Sequence, residues 1–145
     1  MIFKRINRTL AETIFMVVKN VSGSIMTAGY TCVFDTSASV DGVRVTRASA
    51  TDLQAFAGVA DQDIADTAYG RIQVWGYRAS ALITYSSVSL VVGDVLGAYA
   101  GQWGLSWLAA GTQGSSKGFA FACEAVASSS AVAITTTAKV FLRAL

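Results

Sequence analysis

The stretch Arg71-Ile72-Gln73-Val74-Trp75-Gly76-Tyr77-Arg78 changes character at every step. Successive side chains of an extended chain point to opposite faces, so such alternation reads as a half-buried strand. Ile72, Val74 and Gly76 fall on one face, and Arg71, Gln73, Trp75 and Tyr77 on the other. Short β-branched or aromatic runs recur around it, at residues 31–34, 43–46, 81–85, 95–99, 119–126 and 135–142. Turn residues separate them: Asp41-Gly42, Gly93-Asp94, Gly101-Gln102, Gly104 and the glycine-rich segment 111–118. Asp41-Gly42 predicts a tight hairpin between residues 37–40 and 43–47. Together these signals predict a mainly β chain, folded as a compact antiparallel β-barrel or sandwich with little helix. One segment, residues 9–19, supports two readings. Thr9 with Glu12 three positions on forms a helix capping box, whereas Ile14, Val17 and Val18 are β-branched and favour a first strand. Residues 52–55 and 61–65 predict single turns at most.

Bulk properties narrow the function. The chain has 145 residues, the size of one domain and enough to bury a core without staples. It carries 11 basic and 9 acidic residues, which argues against a polybasic nucleic-acid binder. No histidine is present, so His-based triads, His zinc sites and an imidazole pH switch are excluded. Charged residues make up 14% of the chain, against about 25% in ordinary domains, so partners are expected to cover much of the surface. The early apolar run Ile14-Phe15-Met16-Val17-Val18 is shorter than the roughly 7–15 residues of a secretory core or the roughly 20 of a membrane span. Synthesis in a cytosol is the simplest expectation. Cys32 and Cys123 read as thiols acting as small hydrophobes, and spacing alone leaves a disulfide open. Charge is uneven: residues 1–19 hold four bases and one acid, while residues 35–66 hold six acids and two bases. A basic arm that docks on an acidic neighbour fits that asymmetry.

The chemical motifs fail one by one. Asp61-Gln62-Asp63-Ile64-Ala65-Asp66 gathers three carboxylates, but an EF-hand needs glycine at its sixth position and glutamate at its twelfth, where Asp66 and Ile72 stand. Gly111-Thr112-Gln113-Gly114-Ser115-Ser116-Lys117-Gly118 lacks the P-loop spacing and reads as a hairpin loop. No nucleophile elbow occurs, and no base, nucleophile or metal set assembles at a known spacing. The expectation is a chain that is not an enzyme and uses no cofactor or metal. Trp103 and Trp107 flank a short glycine-containing run. They fit core packing, an interface anchor or a sugar-stacking platform.

Four segments carry a resemblance: Val21-Ser22-Gly23-Ser24-Ile25-Met26-Thr27-Ala28-Gly29, then Ala55-Phe56-Ala57-Gly58-Val59-Ala60, then the run from Ile64 to Tyr77, then Val91-Val92-Gly93-Asp94-Val95-Leu96. This order, over roughly residues 15–100, resembles the small decoration (cement) proteins of tailed bacteriophages. The resemblance implies a β-tulip-like domain at residues 15–145 behind an extended N-terminal arm at residues 1–14. It implies a virion protein on the capsid exterior, made in the host bacterial cytoplasm and stiffening the icosahedral shell. Its partners would be the major capsid protein and itself, as a homotrimer, with no direct nucleic acid and no membrane. Ile2, Phe3, Lys4, Arg5, Arg8, Phe15, Trp75 and Tyr77 are the expected capsid and protomer contacts. Other virion β-domains, such as a tail tube or fibre base, and a host-surface glycan-binding module are the alternatives.

Overall fold

A computed structural model of the chain describes residues 12–37, 41–85, 89–108, 118–127 and 134–144. Its regular elements are strands, and no helix occurs among the described residues. They are β1 (Ile14–Asn20), β2 (Thr31–Phe34), β3 (Arg44–Thr46), β4 (Phe56–Ala60), β5 (Tyr69–Tyr85), β6 (Val95–Ala98), β7 (Leu105–Trp107), β8 (Ala120–Ala122) and β9 (Ile134–Arg143). The mainly β reading of the sequence therefore holds.

The 17-residue β5 organises the whole molecule. Along its first half it pairs with β1 on one edge and β4 on the other, and β1-β3-β2-β4-β5 closes into a ring. Along its second half the partners are β9 and β7, and β5-β7-β6-β8-β9 closes a second ring. Each named strand thus has a neighbour on both edges, which removes the unpaired backbone that templates aggregation. Most pairings are antiparallel, as expected, but β1–β3 and β5–β7 are parallel. They are the pairs that let chain segments distant in sequence complete each ring.

The handover between rings falls at Gly76, which sits at φ +98°, a conformation that favours glycine. A Cβ there would run into the Glu12 carbonyl oxygen, because the chain entering β1 crosses directly over this point. One residue further out, Ala144 N–H donates to the Val74 carbonyl at 2.9 Å, so the end of β9 arrives at the same place.

Two apolar clusters fill the rings. Val18, Met26, Cys32, Val45, Ala57, Ala60, Ile64, Ile72 and Val74 pack inside the first. Ala81, Ile83, Leu96, Leu105, Val140 and Leu142 lead the second, joined by Val33, Phe56 and Val59 from the opposite faces of β2 and β4. The rings are therefore packed on each other, and Phe56 stacks on Phe119 at 5.0 Å between centroids.

The structure decides several local expectations. Residues 14–20 are strand, because six β1 residues find partners along β5. Thr9 itself lies outside the described residues. The expected hairpin partner of β3, residues 37–40, falls mostly outside them too; β3 pairs instead with β2, Val33 opposite Thr46. Asp41 nevertheless shapes the returning chain, since its Oδ1 accepts from the N–H groups of Val43 and Arg44 at 2.9 and 3.0 Å. Residues 52–55 form the expected turn, closed by Ala55 N–H to the Asp52 carbonyl. Ile64, by contrast, bridges to Met26 as extended chain. Cys32 and Cys123 are unpaired; burial pushes the Cys32 thiol up to about 12.

Candidate functional site

Where β1, β5 and β9 lie side by side, their even and odd positions divide cleanly. Val18 and Asn20 of β1, Ile72 and Val74 of β5, and Val140 and Leu142 of β9 are buried. The alternate positions form an outer face: Phe15, Val17 and Lys19 on β1, Tyr69, Arg71, Trp75 and Tyr77 on β5, Phe141 and Arg143 on β9. Val17 sits opposite Arg71, Lys19 opposite Tyr69, and Tyr77 opposite Phe141. Phe121 of β8 extends the row beyond Phe141.

This face is wet and largely apolar. Val17 keeps 61% and Tyr69 65% of their surface exposed, and Ile14, Phe15 and Tyr77 are exposed as well. Single exposed hydrophobics are ordinary on a folded protein, but a contiguous row across paired strands marks an interaction surface. Cations lie over its rings: Arg71 is 5.0 Å from the Phe15 centroid, Arg143 4.4 Å from Phe121, and Lys19 6.0 Å from Tyr69. Trp75 meets Phe141 edge-on at 5.5 Å.

Charges on the face fall into two groups. Arg71 is tied to Asp61 at 2.6 Å and Lys139 to Glu124 at 3.1 Å. Glu124 is held below the usual carboxylate value chiefly by the Lys139 backbone N–H, with the Lys139 ammonium adding to it. Lys19 and Arg143 form no ion pair among the described residues, although Arg143 donates to the Gly118 carbonyl at 3.1 and 3.3 Å.

The expected contact residues divide accordingly. Phe15, Trp75 and Tyr77 come together on this face, while Ile2, Phe3, Lys4, Arg5 and Arg8 lie outside the described residues. Val17, Tyr69, Phe121 and Phe141 share this face without being among the individually named contacts. Val17 carried a signal, for it alternates with Val18 and one of the two had to face outward. Gln73 shares the expected polar face yet is buried, because its amide donates to the Trp75 and Tyr77 carbonyls and accepts from Arg78. Trp103 and Trp107 are elsewhere and half-buried: Trp103 stacks on Tyr30 at 5.1 Å and Trp107 packs on the second cluster.

The three carboxylates at residues 61–66 do not converge. Asp61 takes Arg71 and Arg78, Asp63 accepts from the Ala28 N–H, and Asp66 from the Gly23 N–H. Among the described residues no group of three or more Cys, Asp or Glu side chains is placed to hold a metal ion. No helix among the described residues is long and apolar enough to cross a membrane. An open depression of about 460 Å³ is lined by Asp35, Ser37, Arg47, Ser49 and Asp52 among others, but its two carboxylates are engaged by Ser37 and Ser49 of their own loops.

No protein-family description matches the chain, and no curated protein does. Among solved structures it is similar to the head fiber gp8.5 N base of bacteriophage phi29, at 12% identity and a TM-score of 0.46, over 88% of this chain and 94% of that one.

Proposed function

We propose that this chain is a structural, non-catalytic virion protein that decorates and stabilises the outside of a bacteriophage icosahedral head. In this reading it binds across major capsid protein subunits as a homotrimer and uses no cofactor, nucleic acid or membrane partner. The observation that carries it is the outer β1–β5–β9 face, a row of exposed Phe15, Val17, Tyr69 and Tyr77 on a scaffold whose named strands each have a neighbour on both edges. A shell-stiffening protein needs rigid, self-closed β-structure and broad surfaces for neighbours rather than a cleft. Residues 1–11, which precede β1 in the sequence, bring Lys4, Arg5 and Arg8 with no acid among them.

The test is co-sedimentation of the purified chain with empty heads of its phage, next to a chain lacking residues 1–11. The full chain is expected to pellet with heads. The truncated one is expected to keep its β-type circular dichroism and lose most of its occupancy. Light scattering is expected to give three times the 15.1 kDa chain mass on heads or in solution. Failure of the full chain to bind heads would overturn the reading.

A further inference from the structure

We propose that the outer face of β1, β5, β8 and β9 docks an acidic patch of a partner protein, with Lys19 and Arg143 gripping carboxylates on either side of Val17, Phe15 and Trp75. This rests on the decoration reading above and assigns the surface and the chemistry of its partner. Lys19 lies beside Tyr69 and Arg143 beside Trp75, six residues apart along β5, so the two cations stand about 20 Å apart. Between them lie Val17, Phe15 and Trp75, with Arg71 over the Phe15 ring and neutralised by Asp61. This is the arrangement of an interface with an apolar centre and a charged rim. Arg71 and Lys139 already have Asp61 and Glu124, whereas Lys19 and Arg143 have no carboxylate among the described residues, which leaves an excess of positive charge for a partner to meet.

Other occupants fit less well. A second copy docking through the same face would set cation against cation. A nucleic acid would use the rings as stacking platforms, but Phe15, Phe121 and Tyr69 already have guanidinium or ammonium groups over them. Exposed Ile14 and Val17 are aliphatic and suit a protein surface.

The experiment measures binding of the full chain to empty heads across a salt series, for the wild type, Lys19→Glu with Arg143→Glu, and Arg47→Glu as an off-face control. Opposed charges on an exposed rim act mainly within a Debye length, about 8 Å at physiological salt, so the effect is salt-dependent. The double variant is expected to bind at least tenfold more weakly at about 0.15 M salt and to lose much of the salt dependence, with Arg47→Glu unchanged. If circular dichroism shows the double variant misfolded, Lys19→Gln with Arg143→Gln replaces it, with a smaller loss in the same direction. Wild-type-like binding by a folded double variant would overturn the assignment and leave the decoration reading standing. No binding by the wild type would remove both. Binding of a fluorescent single-stranded oligonucleotide that the double variant abolishes would also overturn it, in favour of nucleic acid.

Discussion

Asp61 serves two arginines whose surroundings differ. Arg71 reaches it from the outer face with its side chain 55% exposed, while Arg78 reaches it with 11% exposed. Arg78 also donates to the Ala60 and Ser80 carbonyls at 2.7 and 2.8 Å and to Gln73 Oε1 at 3.5 Å. Burial lowers the Arg78 pKa, with Asp61 opposing it. Exposed pairs contribute little, whereas removing one member of a partly buried network strands its partners. Arg78→Met is therefore expected to destabilise the fold by about 2–4 kcal/mol and Arg71→Met by less than about 1 kcal/mol, read by urea denaturation. This network also explains why Gln73 escaped the sequence reading. Alternation placed it correctly on the face of Arg71, but burial followed from Arg78, five residues on, and from two carbonyls of its own strand. No local pattern encodes such a partner.

At the scale of elements, β5 shows what patterning reveals and where it stops. Residues 71–78 and 81–85 both read as strand, and both are. Their fusion into one 17-residue element has no local signal, because Ala79 and Ser80 between them are weak strand formers, and the structure absorbs them as an irregularity between Arg78 and Ala81. β2 matched its expected bounds because its residues are strong strand formers with turns at both ends. The 9–19 segment could not be decided locally, since what makes β1 a strand is a ladder to residues fifty or more positions away. Gly76 is the fulcrum of this arrangement. Gly76→Ala must adopt a positive φ and push against the Glu12 carbonyl, so it is expected to cost about 3 kcal/mol, roughly 6–12 °C in Tm by calorimetry. Gly23→Ala is a useful comparison: its φ is also positive, at +76°, but nothing lies near the added methyl, and a smaller loss is expected.

For the whole molecule, the mainly β class was legible from alternation and glycine spacing, while ring closure through two parallel pairings was not, because parallel partners leave no hairpin signature. The acid response of the fold follows from its loop carboxylates. Asp35, lowered chiefly by the Ser37 hydroxyl, and Asp41, lowered chiefly by the Arg44 N–H, sit below their ordinary 3.8, and Glu124 sits below 4.5. Groups depressed in the folded state contribute stability that is complete above their ordinary values and drains away as pH falls through the folded ones. Urea midpoints are therefore expected to be level from about pH 5 to 8 and to drop by pH 3. Lys139, raised by Glu124, keeps its side of that pair well above neutral pH, so no loss is expected on the mildly alkaline side. The functional account rests on where the molecule resides. Cryo-electron microscopy of intact virions from the phage that encodes the chain tests it most directly. Density for the two fused rings is expected on the outer surface of the head, with Phe15, Val17 and Tyr69 turned into a capsid subunit. Density confined to the tail, or outer-surface density with that row of side chains facing solvent, would contradict it.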